Sequence, residues 1–121
     1  MKIQESAENY LEAIYTLKQS KGYVRSIDVA RDLGYSKPSV SRAMKLLREN
    51  GYITIDEEGA ISLTDSGLEI AENIYERHML LTQFLQSIGV TEETAFADAC
   101  RIEHVISQET FERLKAFIAA K

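Results

Sequence analysis

The chain has one cysteine, Cys100, so no internal disulfide can staple it and its fold must rest on a packed core. That thiol is left with four readings: a small buried hydrophobe, a ligand, a nucleophile or one half of an intermolecular pair. No apolar run is long enough to cross a bilayer and no signal peptide is expected, which points away from the membrane and toward the cytoplasm. Internal repeats, low-complexity tracts, flexible linkers and a glycine-rich phosphate loop are all missing. The only proline is Pro38. What is there is 121 residues, 45% of them apolar, enough for one domain or two small ones sharing a helix, with a modest core.

Positive charge is scarce overall, the net being −5, yet it is concentrated. Residues 21–50 carry seven basic and three acidic groups, a net of +4, whereas residues 51–121 carry five basic and thirteen acidic groups, a net of −8. A local basic patch attracts phosphates even on an acidic protein. The acidic part would draw cations, although most of its carboxylates also fit a plain solvated surface.

Tyr10, Leu11, Ile14, Tyr15 and Leu17 recur at helical spacing between Ser6 and Ser20, and Gly22 stops that helix. Ser26 is expected to cap a short second helix, Ile27 to Leu33, with Val29, Ala30 and Leu33 inward. After the turn at Gly34-Tyr35, Ser36 caps a third helix reaching about Asn50. Pro38 sits in its first turn, where a missing N–H costs little, and Val40, Met44 and Leu47 form its core stripe. The period then drops to two. Tyr52 to Ile55 and Ala60 to Leu63 read as a hairpin around Asp56-Glu57-Glu58-Gly59. Thr64 caps a long helix to about Ser87, with Leu68, Ile70, Ile74 and Leu81 apolar, and Gly89 breaks it. Thr91 opens a fifth helix, with Glu92 and Glu93 at its positive end. Ser107 opens a sixth, through Phe111, Leu114, Phe117 and Ile118. The long helix is the expected joint between two lobes.

Helix, short turn, helix and hairpin is the order of a winged helix-turn-helix, in which the second helix of the pair enters the major groove and its N-terminal residues meet the bases. Here that end offers Ser36, Lys37, Pro38, Ser39, Ser41 and Arg42, with Lys45 one turn on. Hydroxyls and cations suit phosphates, and Arg42 can take a guanine edge with two hydrogen bonds. Double-stranded DNA is the expected partner, although a protein-interaction module of the same shape would carry the same pattern. Asp56, Glu57 and Glu58 at the wing tip repel phosphates, so no grip on the DNA backbone is expected there.

Cys100-Arg101-Ile102-Glu103-His104 sets a thiol, a carboxylate and an imidazole at i, i+3 and i+4. On a helix they would fall within an arc of roughly 100°. All three are good ligands for a transition metal. Cys100 equally fits the core, and His104 a capping or packing role. A mononuclear site needs further donors. Candidates are His78 on the long helix and Asn9 and Glu12 on the first helix, the last two sharing a face by their spacing. Glu12 also fits a surface acid, and His78 an exposed helix position. Two other functions stay open on the residues: a winged-helix repressor answering to a small organic ligand or to oxidation of Cys100, and a metalloenzyme using the same three groups. The enzyme is disfavoured, because no substrate-pocket signature appears and the basic helix-turn-helix would go unexplained.

Several segments, taken in order, carry a resemblance over essentially the whole chain: Glu8-Asn9-Tyr10-Leu11-Glu12-Ala13-Ile14-Tyr15, Ser36-Lys37-Pro38-Ser39-Val40-Ser41, Leu63-Thr64-Asp65-Ser66-Gly67, Arg77-His78-Met79-Leu80-Leu81 and Ala99 to Ser107. They resemble the diphtheria-toxin-repressor family of metal-dependent repressors, which includes the manganese transport regulators. The resemblance implies a mainly α fold. Residues 1–72 would form a winged helix-turn-helix domain, and residues 73–121 a helical metal-binding and dimerisation domain. It also implies a homodimer joined through the C-terminal helices, repressing metal uptake by metal-activated binding to a palindromic operator. Cys100, Glu103 and His104 match ligands of the regulatory site, and Glu12 and His78 match ligand positions of the manganese branch. Asn9 departs, since the family commonly has Met or Asp there, and an amide oxygen brings no charge. Cys100 follows the iron branch, where the manganese branch has Glu. Thr82 and Phe96 replace ligands of a second iron-branch site, which is therefore not expected. No SH3-like C-terminal domain of the iron branch is expected either, and the expected form is the two-lobe one typical of manganese regulators. By resemblance the expected ion is Fe(II) or Mn(II). By chemistry, thiolate favours Zn(II), Co(II) or Fe(II), and carboxylates favour Mn(II). A coordinating thiol must lose its proton, so affinity is expected to fall with acidity.

Overall fold

Capping chemistry and apolar periodicity together account for the elements in the computed structural model, which describes residues 5–120: α1 (Glu5–Lys21), α2 (Ser26–Leu33), α3 (Lys37–Glu49), β1 (Ile53–Ile55), β2 (Ile61–Leu63), α4 (Asp65–Ser87), α5 (Glu92–Ile102) and α6 (Gln108–Ala119). The protein is mainly α-helical, and its first five elements are those of a winged helix-turn-helix. It divides into two compact units, one ending at Glu72 and the other beginning at Asn73. Among the described residues no helix is long and apolar enough to cross a membrane.

The N-terminal unit is built on one apolar core of Leu11 and Ile14 from α1, Val29 from α2, Val40, Met44 and Leu47 from α3, Ile53 and Ile61 from the hairpin, and Ala71 from α4. Removing these side chains from water is the main favourable term holding the three helices and the wing together. Local chemistry sets the boundaries. Ser36 Oγ accepts the Ser39 N–H at 3.3 Å, and Pro38 occupies the first turn of α3. The start of α2 differs from expectation. Ser26 is already helical and the N-cap is Arg25, in extended conformation. The Asp28 carboxylate, at the third helical position, reaches back to accept the N-cap Arg25 N–H at 2.9 Å, one half of a capping box. Lys21 Nζ donates to the same carboxylate at 2.7 Å.

The wing is an antiparallel pair in which Ile53 faces Leu63 and Ile55 faces Ile61. Asp56 turns its tip by accepting the N–H groups of Glu58 and Ala60, both at 2.9 Å. Lys18 ties β2 to α1, donating to the Ile61 carbonyl at 2.9 Å and to Ser62 Oγ at 2.8 Å. Thr64 caps α4: its Oγ accepts the Gly67 N–H at 3.3 Å while its hydroxyl donates to the Gly51 carbonyl at 2.7 Å. Gly67 lies against the Tyr52 carbonyl so closely that a Cβ would overlap the oxygen. Glycine is thus required there for close approach of α4 to the wing, not for an unusual backbone angle.

In the C-terminal unit Ile74 and Leu81 of α4, Ala95 and Ala99 of α5, and Phe111 of α6 are buried. Two apolar positions of the sequence pattern stay outside. Leu68 is exposed because the inward stripe of α4 runs through Gly67, Ala71 and Ile74, one residue to its side. Phe117 is exposed because Phe111, Leu114 and Ile118 define the inward face of α6.

The α2 cap yields a pH prediction. The hydrogen bond from Lys21, followed by that from the Arg25 N–H, holds the Asp28 carboxyl below its usual 3.8. A lowered folded-state value contributes stability that is full above the unfolded value and is lost as pH falls through the folded one. Asp28→Ala should therefore cost about 1 kcal/mol near neutrality, with the gap to the parent closing on acidification. Urea unfolding of both proteins across that range measures it, and a gap that stays constant at all pH values would contradict the cap.

Candidate metal centre and DNA interface

The inward stripe of α4 continues past Ile74 to Arg77, His78 and Leu81, so that two polar residues occupy positions that a helix of this kind normally fills with apolar ones. From α5, Cys100 is presented on the last full turn. The helix closes at Ile102, and Glu103 is its C-cap, still right-handed at φ −56 and ψ −26, with its N–H bonded to the Ala99 carbonyl at 3.0 Å. Cys100 and Glu103 thus keep the i, i+3 relation of one helix face. His104 does not extend it. The N–H groups of Val105 and Ile106 both fold back on the Ile102 carbonyl, at 3.0 and 3.2 Å, forming a turn. Ser107 then starts α6 by accepting the Thr110 N–H at 3.1 Å. The expected arc of three residues is corrected to two helical residues and one carried by the turn, because the cap of α6 follows too soon for α5 to continue.

The result is a convergence of nitrogen, oxygen and sulfur donors. His78 Nδ1 lies 2.8 Å from Glu103 Oε1 and 3.8 Å from Cys100 Sγ. The ligand atoms of these three residues all fall within 4.8 Å of one another. His104 Nε2 stands 3.6 Å from the other carboxylate oxygen, Glu103 Oε2. The Glu103 side chain is wholly buried, and those of His78 and His104 nearly so. A buried carboxylate is costly unless cationic or hydrogen-bonding groups surround it. Two imidazoles, a thiol and a carboxylate form a mixed donor set suited to a first-row divalent cation, so the residues present fit such an ion. Phe96 closes one side, its ring edge-on to His78 with centroids 4.6 Å apart. Thr82 donates its hydroxyl to the His78 carbonyl at 2.7 Å. A cleft lined by His78, Met79, Glu92, Glu93 and Phe96 leads from solvent to the imidazole.

Arg77 opens one of the segments that carry the resemblance, but the sequence assigns it no role. It is buried, and its Nη1 donates to the Glu103 carbonyl at 3.1 Å and the Ile106 carbonyl at 2.9 Å, while Nη2 donates to Gln108 Oε1 at 2.8 Å. The signal that could have found it is its place on the inward stripe of α4, between Ile74 and Leu81.

Asn9 and Glu12 stand one helical turn apart on α1, in the other compact unit, and both are partly buried. Asn9 Nδ2 donates to the Tyr35 hydroxyl at 3.4 Å, and the Tyr35 ring meets Tyr10 edge-on at 5.8 Å. Tyr35 immediately precedes the cap of α3. On α3 the side chains of Val40, Met44 and Leu47 turn inward, leaving Lys37, Pro38, Ser41, Arg42 and Lys45 exposed on the opposite face. The Ser36 and Ser39 hydroxyls lie 2.9 Å apart within the cap, and Ser39 is half-buried. These two are committed first to starting the helix.

Comparison with known proteins follows the same division. Residues 2–61 match the family described as iron dependent repressor, N-terminal DNA binding domain, and residues 64–120 match iron dependent repressor, metal binding and dimerisation domain. The chain is similar to the HTH-type transcriptional regulator MntR of Bacillus subtilis (strain 168), with 37% identity over 109 residues, 90% of this chain and 77% of that protein. It is 34% identical over 118 residues to an uncharacterized HTH-type transcriptional regulator of Methanocaldococcus jannaschii, covering 96% of this chain and 94% of the other. Among solved structures, a manganese-dependent transcriptional repressor in complex with manganese superimposes with a TM-score of 0.85 at 31% identity, over 93% of this chain and 52% of that one. The manganese regulator SloR gives 0.83 at 27% identity, over 100% and 56%. The chain spans about half the length of these solved relatives.

If Cys100 is a donor, Co(II) titration of the parent should raise a thiolate-to-metal charge-transfer absorption that Cys100→Ser lacks. The same absorption in the variant would remove Cys100 from the donor set.

Proposed function

The chain belongs to the iron-dependent repressor family, and from that premise we propose that it is a homodimeric repressor activated by Fe(II) or Mn(II), binding a palindromic operator and controlling metal uptake. The observation that carries this reading is the convergence of His78, Cys100 and Glu103 around one buried point, with His104 beside it. Asn9 and Glu12 are proposed as further ligands on the family resemblance. Bound there, a divalent cation would supply positive charge to the Glu103 carboxylate and directed bonds to the imidazoles and the thiolate.

The chain's own residues supply the rest. Asn9 touches Tyr35, and Tyr35 adjoins the cap of α3, so a fixed Asn9 side chain constrains the start of the recognition helix. Arg42 and Lys45 project from the exposed face of that helix toward base edges and phosphates. The acidic tip of the wing leaves recognition to α3. Val105, Ile88 and Phe117 expose large apolar side chains in the C-terminal unit, the kind of surface a second copy would cover. A dimer reading a palindrome must set its two recognition helices about 34 Å apart. Metal activation then means that the ion binds more tightly to the conformer with that spacing, and the effect is limited by that difference in affinity.

The test is DNA binding to candidate palindromes at fixed salt, with Mn(II), anaerobic Fe(II), Co(II) or Zn(II) against a chelated control. Binding should require metal. The double variant Glu103→Ala, His104→Ala should lose that requirement's benefit, binding no better with metal than without, while light scattering still reports a dimer. Unchanged metal dependence in the variant would overturn the ligand assignment.

A further inference from the structure

We infer that Arg77 is the positioning residue of the metal centre, holding the turn that carries Glu103 and His104 so that its grip sets the affinity for the ion. The inference rests on the centre proposed above. Arg77 is the direct chain neighbour of His78, so one stretch of α4 both offers a donor and holds the other element that offers donors. Its Nη1 bridges the carbonyls of Glu103 and Ile106, the first and last residues between α5 and the cap of α6. Its Nη2 holds Gln108, the first residue of α6. The guanidinium also lies over the Phe111 ring, 5.3 Å from the centroid, and Phe111 is wholly buried. One planar group therefore holds both ends of the turn and the start of α6. Lysine cannot do this, since its single ammonium lacks the fixed fork.

Stability alone is a poor reason for an arginine here. All three hydrogen bonds go to neutral oxygens, and the buried Nε has no hydrogen-bond partner among the described residues. A cation taken out of water on such terms is commonly matched or bettered by a well-packed apolar side chain. What an apolar residue cannot do is hold two carbonyls at set positions and thereby aim the side chains that follow them. Groups in this outer layer orient ligands, and their loss typically lowers metal affinity about 10–100-fold.

The experiment compares the parent with Arg77→Met, Arg77→Lys and Gln108→Ala. It reads Co(II) affinity by competition titration, the ligand-field absorption of the Co(II) form, and thermal unfolding without metal. Arg77→Met should bind Co(II) roughly 10–100-fold more weakly with an altered spectrum, Arg77→Lys should recover only part of that loss, and Gln108→Ala should lose less in the same direction. A folded Arg77→Met with parental affinity and spectrum, melting earlier only, overturns the inference and leaves the centre standing. If Arg77→Met does not fold, Gln108→Ala decides: weakened binding supports the inference and parental binding overturns it. A parent that binds no Co(II) overturns the centre itself, and this inference with it, before any variant is compared.

Discussion

The carboxylate of Glu103 is withdrawn from water at the end of α5, and the C-terminal unit is arranged around that fact. A buried negative charge persists only where donors or cations surround it. Here an imidazole lies on each oxygen, with the thiol of Cys100 near the first imidazole and the Arg77 guanidinium on the Glu103 backbone rather than on its charge. Arginine thus fixes where the carboxylate sits without neutralising it.

Much of this could be read from residue order. Caps at Ser36, Thr91 and Ser107 mark three helix starts, and the stripe Val40, Met44, Leu47 places the core face of α3 and therefore the exposed face that carries Arg42 and Lys45. These signals are local, and local chemistry decides them. The misreadings also have local causes. Ser26 looks like a cap, but it already lies in the helix, and Asp28 three residues after Arg25 satisfies the Arg25 N–H instead. His104 extends the helical spacing of Cys100 and Glu103 on paper, but the cap of α6 intervenes. Leu68 counts as apolar in any window, yet the close approach at Gly67 sets the phase of α4 and leaves it outside. For Arg77 the inward stripe of α4 marks the position but not its partners. Its role depends on carbonyls 26 and 29 residues away, and no spacing rule reaches that far.

The N-terminal unit shows how a chain of negative charge can present a binding face to a polyanion. Seven of the whole chain's fourteen basic residues fall between residues 21 and 50, and the cations at Lys37, Arg42 and Lys45 stand on one side of a single helix. Thirteen of the nineteen acidic groups lie beyond residue 50, among them Asp56, Glu57 and Glu58 at the wing tip. The contact from Asn9 to Tyr35 is short-range and specific to these residue types, for an amide at position 9 can accept with its oxygen while donating with its nitrogen.

The donor set is a mosaic of thiolate, carboxylate and imidazole, and softness alone does not single out one ion from it. The location of the ion is the claim from which the rest follows. Diffraction from manganese-loaded crystals, recorded on both sides of the manganese absorption edge, tests it most directly. The account predicts an anomalous peak within bonding distance of the Glu103 carboxylate and of at least one of His78, Cys100 and His104. Crystals that contain manganese but show no peak at Glu103 would contradict it.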